Sequence, residues 1–144
     1  MIPFQEAKLI VKKHIFLLGS ETVSLKNSGD RILAENIVAT FPSPQFDNSA
    51  MDGFAVLSSD TKDATPENPV ILKLVGVSSA GTPSDIQLKE GECIQCMTGA
   101  KIPNGADAII MVEDSSGFSD AESVQIRIEA SPGKHIRKMG EEIK

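Results

Sequence analysis

The feature that most constrains the fold is a change in sequence texture after Thr40. Six prolines between residues 41 and 130 interrupt short runs rich in Val, Ile and Leu, such as residues 70–75. Because proline breaks helices and is excluded from the middle of sheets, this pattern is typical of a small antiparallel β domain with loops between its strands. The predicted strands span residues 53–57, 70–78, 92–97, 108–113 and 124–128. Residues 115–120 are predicted to form the hairpin turn between the last two.

The first 40 residues follow a different pattern. Apolar residues recur at the spacing of one helical face from Phe4 to Leu18, with Pro3 tolerated at the first turn and Gly19 as the expected stop. This predicts a helix within residues 1–19. Residues 22–25 resemble a strand, and a second helix is predicted from about residue 27 to residue 35. The predicted fold class is therefore α+β and rich in β structure.

Composition excludes several classes of protein. No apolar run approaches the roughly 20 residues of a membrane-spanning helix, and the first residues lack the cleavage site of a signal peptide. Two cysteines are too few for a disulfide framework. We therefore expect a protein with no membrane segment and a cytoplasmic location.

Charge is distributed unevenly along the chain. Residues 41–130 carry a net charge of −9, whereas residues 131–144 carry +2. An acidic centre without Trp or Tyr argues against a nucleic acid as partner, because it offers neither positive charge nor a stacking platform. The short basic tail is the one segment that favours an anion.

The pair Cys93 and Cys96 has the spacing of some redox and zinc motifs. In a strand, however, residues three apart point to opposite faces of the sheet. Zinc would also need two further ligands, and His14 and His135 are remote in sequence. We therefore predict two reduced, metal-free thiols.

Residues 44–54 concentrate polar groups in a predicted turn that leads into a strand. One interpretation is structural, with Asp47 in an Asx-turn and Asp52 in a tight turn before Gly53. The other is functional, with Asp47 and Ser49 facing a cleft as an acid/base group and a donor. The residue types alone leave both interpretations open.

The same segment resembles the signature of a known family, and three further stretches resemble its motifs in the same order. Residues 44–55, with the pattern Pro-x-Phe-Asp-Asn-Ser-Ala-Met-Asp-Gly-Phe-Ala, are similar to a signature of the molybdenum-insertion enzymes, the bacterial MoeA proteins and the E domain of gephyrin. The other matching stretches are residues 80–83, 97–110 and 133–142. Two positions depart from the pattern, since His135 replaces the usual Asn and Glu142 replaces the usual Asp.

The resemblance implies a function and a set of site residues. Enzymes of this family insert molybdate into adenylylated molybdopterin with Mg²⁺ and release AMP. The resemblance implies that Asp47 and Thr98 are catalytic and that Arg137, Ser49 and Glu142 contact substrate. Asp52 is expected to shape the loop. The Mg²⁺ ligands are expected to lie mostly outside this chain.

The resemblance also implies an organisation into parts. Residues 1–19 form a helix that packs in a homodimer, residues 20–40 with 131–144 form a mixed α/β unit, and residues 41–130 form an inserted β module. The pterin-binding and C-terminal domains of the family are expected to follow Lys144, so the chain alone is expected to supply half a site and to be inactive. The alternative function is a non-catalytic scaffold or binding module, as in relatives of gephyrin that cluster partner proteins.

Overall fold

The computed structural model describes residues 1–119 and 121–144 of the chain. It divides them into two compact units, Met1–Val38 and Ala39–Lys144. Asp120, the last residue of the turn predicted at 115–120, lies outside the described residues.

The first unit contains one α-helix, α1 (Phe4–His14), and a short 3₁₀ turn at Leu25–Asn27. The helix ends four residues before the predicted limit of its apolar pattern, because the backbone at Ile15 is extended. The ring nitrogen Nδ1 of His14 lies 2.8 Å from the carbonyl oxygen of Ile10, so the side chain folds back over the last turn of the helix.

The strand predicted at residues 22–25 and the helix predicted at residues 27–35 are wrong, because apart from the 3₁₀ turn at Leu25–Asn27 residues 22–35 form neither helix nor strand. Gly29 and its polar neighbours have low helix propensity. No residue of the 3₁₀ turn is buried, so packing does not compensate for that low propensity.

The second unit is built on a five-stranded sheet with the order β5-β2-β4-β3-β6 and a separate two-stranded sheet formed by β1 and β7. The strands are β1 (Asn48–Ser49), β2 (Gly53–Val56), β3 (Val70–Ser78), β4 (Glu92–Cys96), β5 (Ala108–Met111), β6 (Ser123–Ile126) and β7 (Ile136–Arg137). All five predicted strands are present, and the β-rich α+β class is confirmed. The prediction grouped residues 131–144 with residues 20–40, whereas β7, which lies in 131–144, pairs with β1 of the second unit.

The sheet is mixed, which corrects the prediction of a purely antiparallel module. Strands β3 and β4 run parallel, with an irregularity in register between Leu74 and Gly76, whereas the other three neighbouring pairs are antiparallel. Residues 79–91 connect β3 to β4. A connection of this length can return the chain to the end from which β3 began, which parallel pairing requires.

Both faces of the five-stranded sheet are covered, and the two cysteines separate between them. Cys93 packs in a cluster with Phe54 and Val56, and Cys96 packs in a second cluster with Ala55. The predicted opposite-face placement is confirmed. Both thiols are free and fully buried. Burial raises the pKa of Cys93 to about 12 and that of Cys96 to about 11, so both remain protonated at neutral pH.

The two ends of the second unit lie side by side. Ser43 donates its N–H to the carbonyl of Ile143 at 2.8 Å and accepts the N–H of Ile143 at 3.1 Å. Within the described residues, no helix has the length and apolar character needed to cross a membrane.

Candidate functional site

Strand register brings Asp52 next to Thr98. Antiparallel pairing of β2 with β4 aligns Gly53, the first residue of β2, with Cys96, the last residue of β4. The residue before β2 therefore lies beside the loop that follows β4. Asp52 is the residue before β2, and Thr98 lies in the loop after β4. The two residues are 46 positions apart in sequence.

Asp52 and Thr98 form a short, two-bond contact. The backbone N–H and the hydroxyl of Thr98 both donate to Oδ1 of Asp52, each at 2.7 Å. These bonds lower the pKa of the Asp52 carboxyl below its usual value, the backbone bond contributing most and the hydroxyl bond next. Asp52 is exposed, and among the described residues no hydrogen-bond donor contacts its second oxygen, Oδ2. The site therefore presents an ionised carboxylate with one open oxygen.

The backbone around this pair is held from several sides. The carbonyl of Asp52 accepts the N–H of Val112 at 3.0 Å, and Gly99 donates its N–H to the carbonyl of Ser49 at 2.8 Å. Gly53 has no room for a side chain, since a Cβ there would lie 1.9 Å from the carbonyl oxygen of Ile110. The two loops are thus tied to each other and to the sheet, which fixes the position of the carboxylate.

Asp47 has different partners from those expected of a catalytic carboxylate. Its Oδ2 accepts a hydrogen bond from Nζ of Lys138 and its Oδ1 accepts the N–H of Met139, both at 2.8 Å. The Lys138 bond and then the Met139 bond lower the pKa of the Asp47 carboxyl. Both oxygens are occupied, so the geometry is that of a clamp between the β1 loop and the segment after β7. The catalytic role of Asp47 stays a prediction.

Ser49 faces the interior of the unit. Its side chain is fully buried, donates to the carbonyl of Met51 at 2.5 Å and lies against the Cys96 thiol. A fully buried hydroxyl cannot reach a substrate in this arrangement. Ser49 therefore fits a loop-shaping role and does not fit the predicted substrate contact.

The remaining predicted residues are separated. Arg137 is exposed in β7, opposite Asn48 of β1. Glu142 is exposed as well, and its Oε2 accepts a hydrogen bond from the hydroxyl of Ser43 at 3.1 Å. The structure therefore brings Thr98 to Asp52, the carboxylate that sequence reasoning assigned to loop shaping. The signal that could have found it is the position of Asp52 immediately before β2, the strand that pairs with β4, whose end leads directly into Thr98.

The Mg²⁺ implied by the family resemblance can be compared with the side chains present. Within residues 1–119 and 121–144, no three His, Cys, Asp or Glu residues gather to hold a metal ion. Oδ2 of Asp52 is one open carboxylate oxygen. Mg²⁺ is commonly bound by one or two carboxylates together with substrate phosphates and water, so this residue fits as a single ligand of such an ion.

The site is thus an ionised carboxylate that two hydrogen-bonded loops hold at the end of a β-rich module. This arrangement is that of a binding or reaction centre for a polar ligand. The family model described as the MoeA N-terminal region (domain I and II) matches residues 2–144, and the chain belongs to this family.

Relatives and solved structures agree with this assignment. The chain is 42% identical over 139 residues to molybdopterin molybdenumtransferase 2 of Mycobacterium tuberculosis, covering 96% of this chain and 34% of the relative. It is 39% identical over 143 residues to molybdopterin molybdenumtransferase of Staphylococcus aureus, covering 99% and 34%. The crystal structure of a molybdopterin biosynthesis MoeA protein from Pyrococcus horikoshii matches with a TM-score of 0.86 and 33% identity, covering 100% of this chain and 38% of that one. The chain therefore spans about a third of the length of the curated relatives.

Proposed function

We propose that this chain is the N-terminal part of a molybdopterin molybdenumtransferase and contributes Asp52 to its reacting centre. The reaction is the insertion of molybdate into adenylylated molybdopterin with release of AMP. The observation that carries the proposal is the contact of Thr98 with Oδ1 of Asp52, which leaves Oδ2 open to a substrate. Family membership and the named relatives support the reaction class.

Asp52 is assigned the chemical role and Thr98 a positioning role. Because its pKa is lowered, Asp52 is a carboxylate at neutral pH, which can accept a proton from an attacking water as the adenylate is cleaved. The hydroxyl hydrogen of Thr98 is already donated to Asp52. In this proposal Thr98 therefore orients the carboxylate, whereas the family resemblance implied a catalytic role for it.

Mg²⁺ is part of this proposal, with Oδ2 of Asp52 as one ligand. When bound, the ion would neutralise negative charge on the phosphate oxygens. Further ligands would come from substrate and from parts of the enzyme outside this chain. Arg137, an exposed guanidinium on a strand, suits a bidentate contact with an anionic group.

A homodimer in the cytoplasm completes the proposal. The Met1–Val38 unit exposes many large apolar side chains, and helix α1 buries no residue. An apolar surface of this kind is typical of a protein interface. Among its exposed side chains are Phe4, Leu9, Val11, Phe16 and Leu17.

The test is molybdate-dependent cofactor formation by the full-length enzyme carrying this sequence, with Asp52→Asn compared with Asp47→Asn. Asp52→Asn is expected to lower turnover by about 100-fold or more, the usual effect of losing an acid/base group. Asp47→Asn is expected to retain much more activity, because Asn can still accept the Met139 N–H. Normal turnover in Asp52→Asn would refute the assignment. Absence of molybdate-dependent turnover in the unmodified enzyme would favour the scaffold function instead.

A further inference from the structure

Three side chains form a row across neighbouring backbone segments near the Asp52–Thr98 pair. Asn48 lies opposite Arg137 in the β1–β7 pair and opposite Lys101 in an isolated antiparallel bridge. Residues directly opposite in antiparallel strands project on the same side. Lys101, Asn48 and Arg137 therefore share one side, with the amide between two cations.

The opposite side of β1 confirms this orientation. Ser49, the next residue, is fully buried, and its cross-strand partner Ile136 packs against the second core cluster. Since successive residues of a strand alternate between faces, Asn48 and its partners project away from that core. Lys101 and Arg137 are both exposed.

The middle of the row contains an unsatisfied polar atom. Asn48 is 8% exposed, and its Oδ1 is buried without a hydrogen-bond partner among the described residues. A buried acceptor without a donor is uncommon in folded proteins and requires a specific explanation, of which a bound ligand or ion is one. Lys and Arg side chains carry only donors, so either flanking cation could satisfy this oxygen.

The two cations of the row are also not neutralised. Within residues 1–119 and 121–144, the only ion pairs are Arg31 with Glu21 and Lys138 with Asp47. The carboxylate closest in sequence to Asn48 is Asp47, whose two oxygens already accept bonds from Lys138 and Met139. The row therefore retains two positive charges in a unit whose residues 41–130 are strongly acidic.

We propose that Lys101, Asn48 and Arg137 form a binding site for a multiply charged oxoanion. Lys101 and Arg137 bind the anion oxygens, and Asn48 is a positioning residue whose Oδ1 accepts an N–H from one of the cations. The ligand chemistry is a compact group with several anionic oxygens, carried either by a nucleotide phosphate or by a free metal oxoanion such as molybdate. Because Thr98 and Lys101 lie on the same loop, the anion would bind beside Asp52. This inference rests on the proposed function and names the part of the substrate that the site holds.

The test measures binding and does not depend on turnover. The isotopically labelled 144-residue chain is titrated with sodium molybdate, inorganic phosphate or AMP, each against sodium chloride at matched ionic strength, and amide signals of the row are followed by NMR. Saturable shifts are expected with at least one of the three probes. Preference for molybdate identifies the free oxoanion, and preference for phosphate and AMP identifies a phosphate group.

Matched variants separate a specific site from general charge attraction. Lys101→Gln is expected to weaken binding roughly tenfold or more, as for loss of a charged hydrogen bond. Lys62→Gln removes the same charge from another exposed lysine and is expected to leave binding unchanged. Asn48→Asp is expected to abolish binding, because a carboxylate there would pair with the cations. Lack of saturable binding, or equal weakening by both lysine variants, would overturn the inference.

The Asp52→Asn chain distinguishes this inference from the proposed function. It is expected to retain saturable anion binding at least as tight as that of the unmodified chain, because a neighbouring negative charge is removed, although the same change in the full-length enzyme is expected to lower turnover by about 100-fold or more. Retained anion binding with no molybdenum insertion by the unmodified enzyme would refute the proposed function alone. Normal turnover without saturable anion binding would refute only the proposed anion site at Lys101, Asn48 and Arg137.

Discussion

Thr98 donates both its backbone N–H and its hydroxyl to one oxygen of Asp52, with both donor–acceptor distances at 2.7 Å. Because a single oxygen accepts both bonds, the carboxylate is held in one orientation and its other oxygen stays exposed. Asp52 thus has a fixed orientation although it lies in a loop, whereas precisely oriented site residues more commonly lie on helices or strands.

The first prediction concerns the effect of Thr98 on the pKa of Asp52. Thr98→Val removes the hydroxyl but keeps the backbone N–H, so the pKa of Asp52 should rise part of the way towards its ordinary value. Side-chain carboxyl NMR titration of the 144-residue chain measures this directly. Thr98→Ser keeps the donor and should titrate like the unmodified chain. An unchanged Asp52 pKa in Thr98→Val would show that the hydroxyl bond is not formed in solution.

The same change has a consequence for the pH dependence of turnover. If ionised Asp52 is required, the acid limb of the activity profile of the full-length enzyme follows the pKa of Asp52. The limb should therefore move to higher pH in Thr98→Val. Thr98→Ser again serves as the control, and a limb that does not move would argue against Asp52 as the titrating group.

The second prediction concerns the clamp between Asp47 and Lys138. The folded-state pKa of Asp47 is lowered, so its stabilising effect is present above the unfolded value of about 3.9 and is lost as pH falls through the lowered folded value. Asp47→Asn should reduce the free energy of unfolding at pH 7 by less than about 1 kcal/mol, since the ion pair is partly exposed and screened by water.

Urea unfolding at pH 7 and at progressively lower pH measures this effect. The difference between Asp47→Asn and the unmodified chain should shrink as pH falls below about 4. Asp85→Asn removes the same charge from an exposed position that forms no ion pair among the described residues, and serves as the matched control. A difference that persists unchanged at acid pH would exclude the charged clamp.

The third prediction concerns the glycine that begins β2. A Cβ at Gly53 would lie 1.9 Å from the backbone oxygen of Ile110, and a backbone atom within a sheet cannot move aside easily. Gly53→Ala should destabilise the chain by about 3 kcal/mol or more. At Gly76 the nearest atom is the terminal Cδ1 of the Ile86 side chain, at 2.6 Å, which can rotate away. Gly76→Ala should therefore cost about 1 kcal/mol or less.

Urea unfolding of the two alanine variants provides the comparison. Equal midpoints for Gly53→Ala and Gly76→Ala would contradict the packing at Ile110. Because Gly53 lies opposite Cys96 in the pairing that places Asp52 beside Thr98, the variant should alter the Thr98 amide signal in any fraction that folds.

The fourth prediction concerns His135, which has a φ of 57° in the left-handed region. His and Asn both enter this region more readily than most residues, which explains how His can stand where the family pattern has Asn. His135→Asn should therefore change the free energy of unfolding by no more than about 0.5 kcal/mol. His135→Val should destabilise the chain by about 1–2 kcal/mol, because a branched Cβ is strained there. Equal stability of the two variants would contradict the left-handed backbone.

The strands could be predicted from sequence because their signal is local. Residues 70–78 form a strand with the predicted bounds. The prediction succeeded because a run of β-branched and other apolar residues is a signal carried by neighbouring positions. The helix prediction at 27–35 was wrong because Gly29 and its polar neighbours have low helix propensity, and residues 29–35 are exposed and gain no packing to offset it. The prediction that all strands pair antiparallel was also wrong, because the direction in which β4 pairs with β3 depends on the path of residues 79–91 and not on the strand sequences themselves.

The site was harder to predict because its contacts are distant in sequence. The residues of the Asp52–Thr98 pair are 46 positions apart, and those of the Asp47–Lys138 pair are 91 apart. Motif composition showed that both carboxylates belong to one polar segment. Only the register of β2 on β4 distinguishes the carboxylate with an open oxygen from the one closed by a lysine.

The adjacency of Ser43 and Ile143 has a consequence for protein engineering. Their reciprocal backbone hydrogen bonds hold the beginning and the end of the second unit close together. A segment with neighbouring ends can be inserted into a host loop without forcing the host chain apart. Residues 43–143 are therefore suited to exchange between homologous enzymes as one segment. Such an exchange would transfer Asp52 together with Lys101, Asn48 and Arg137.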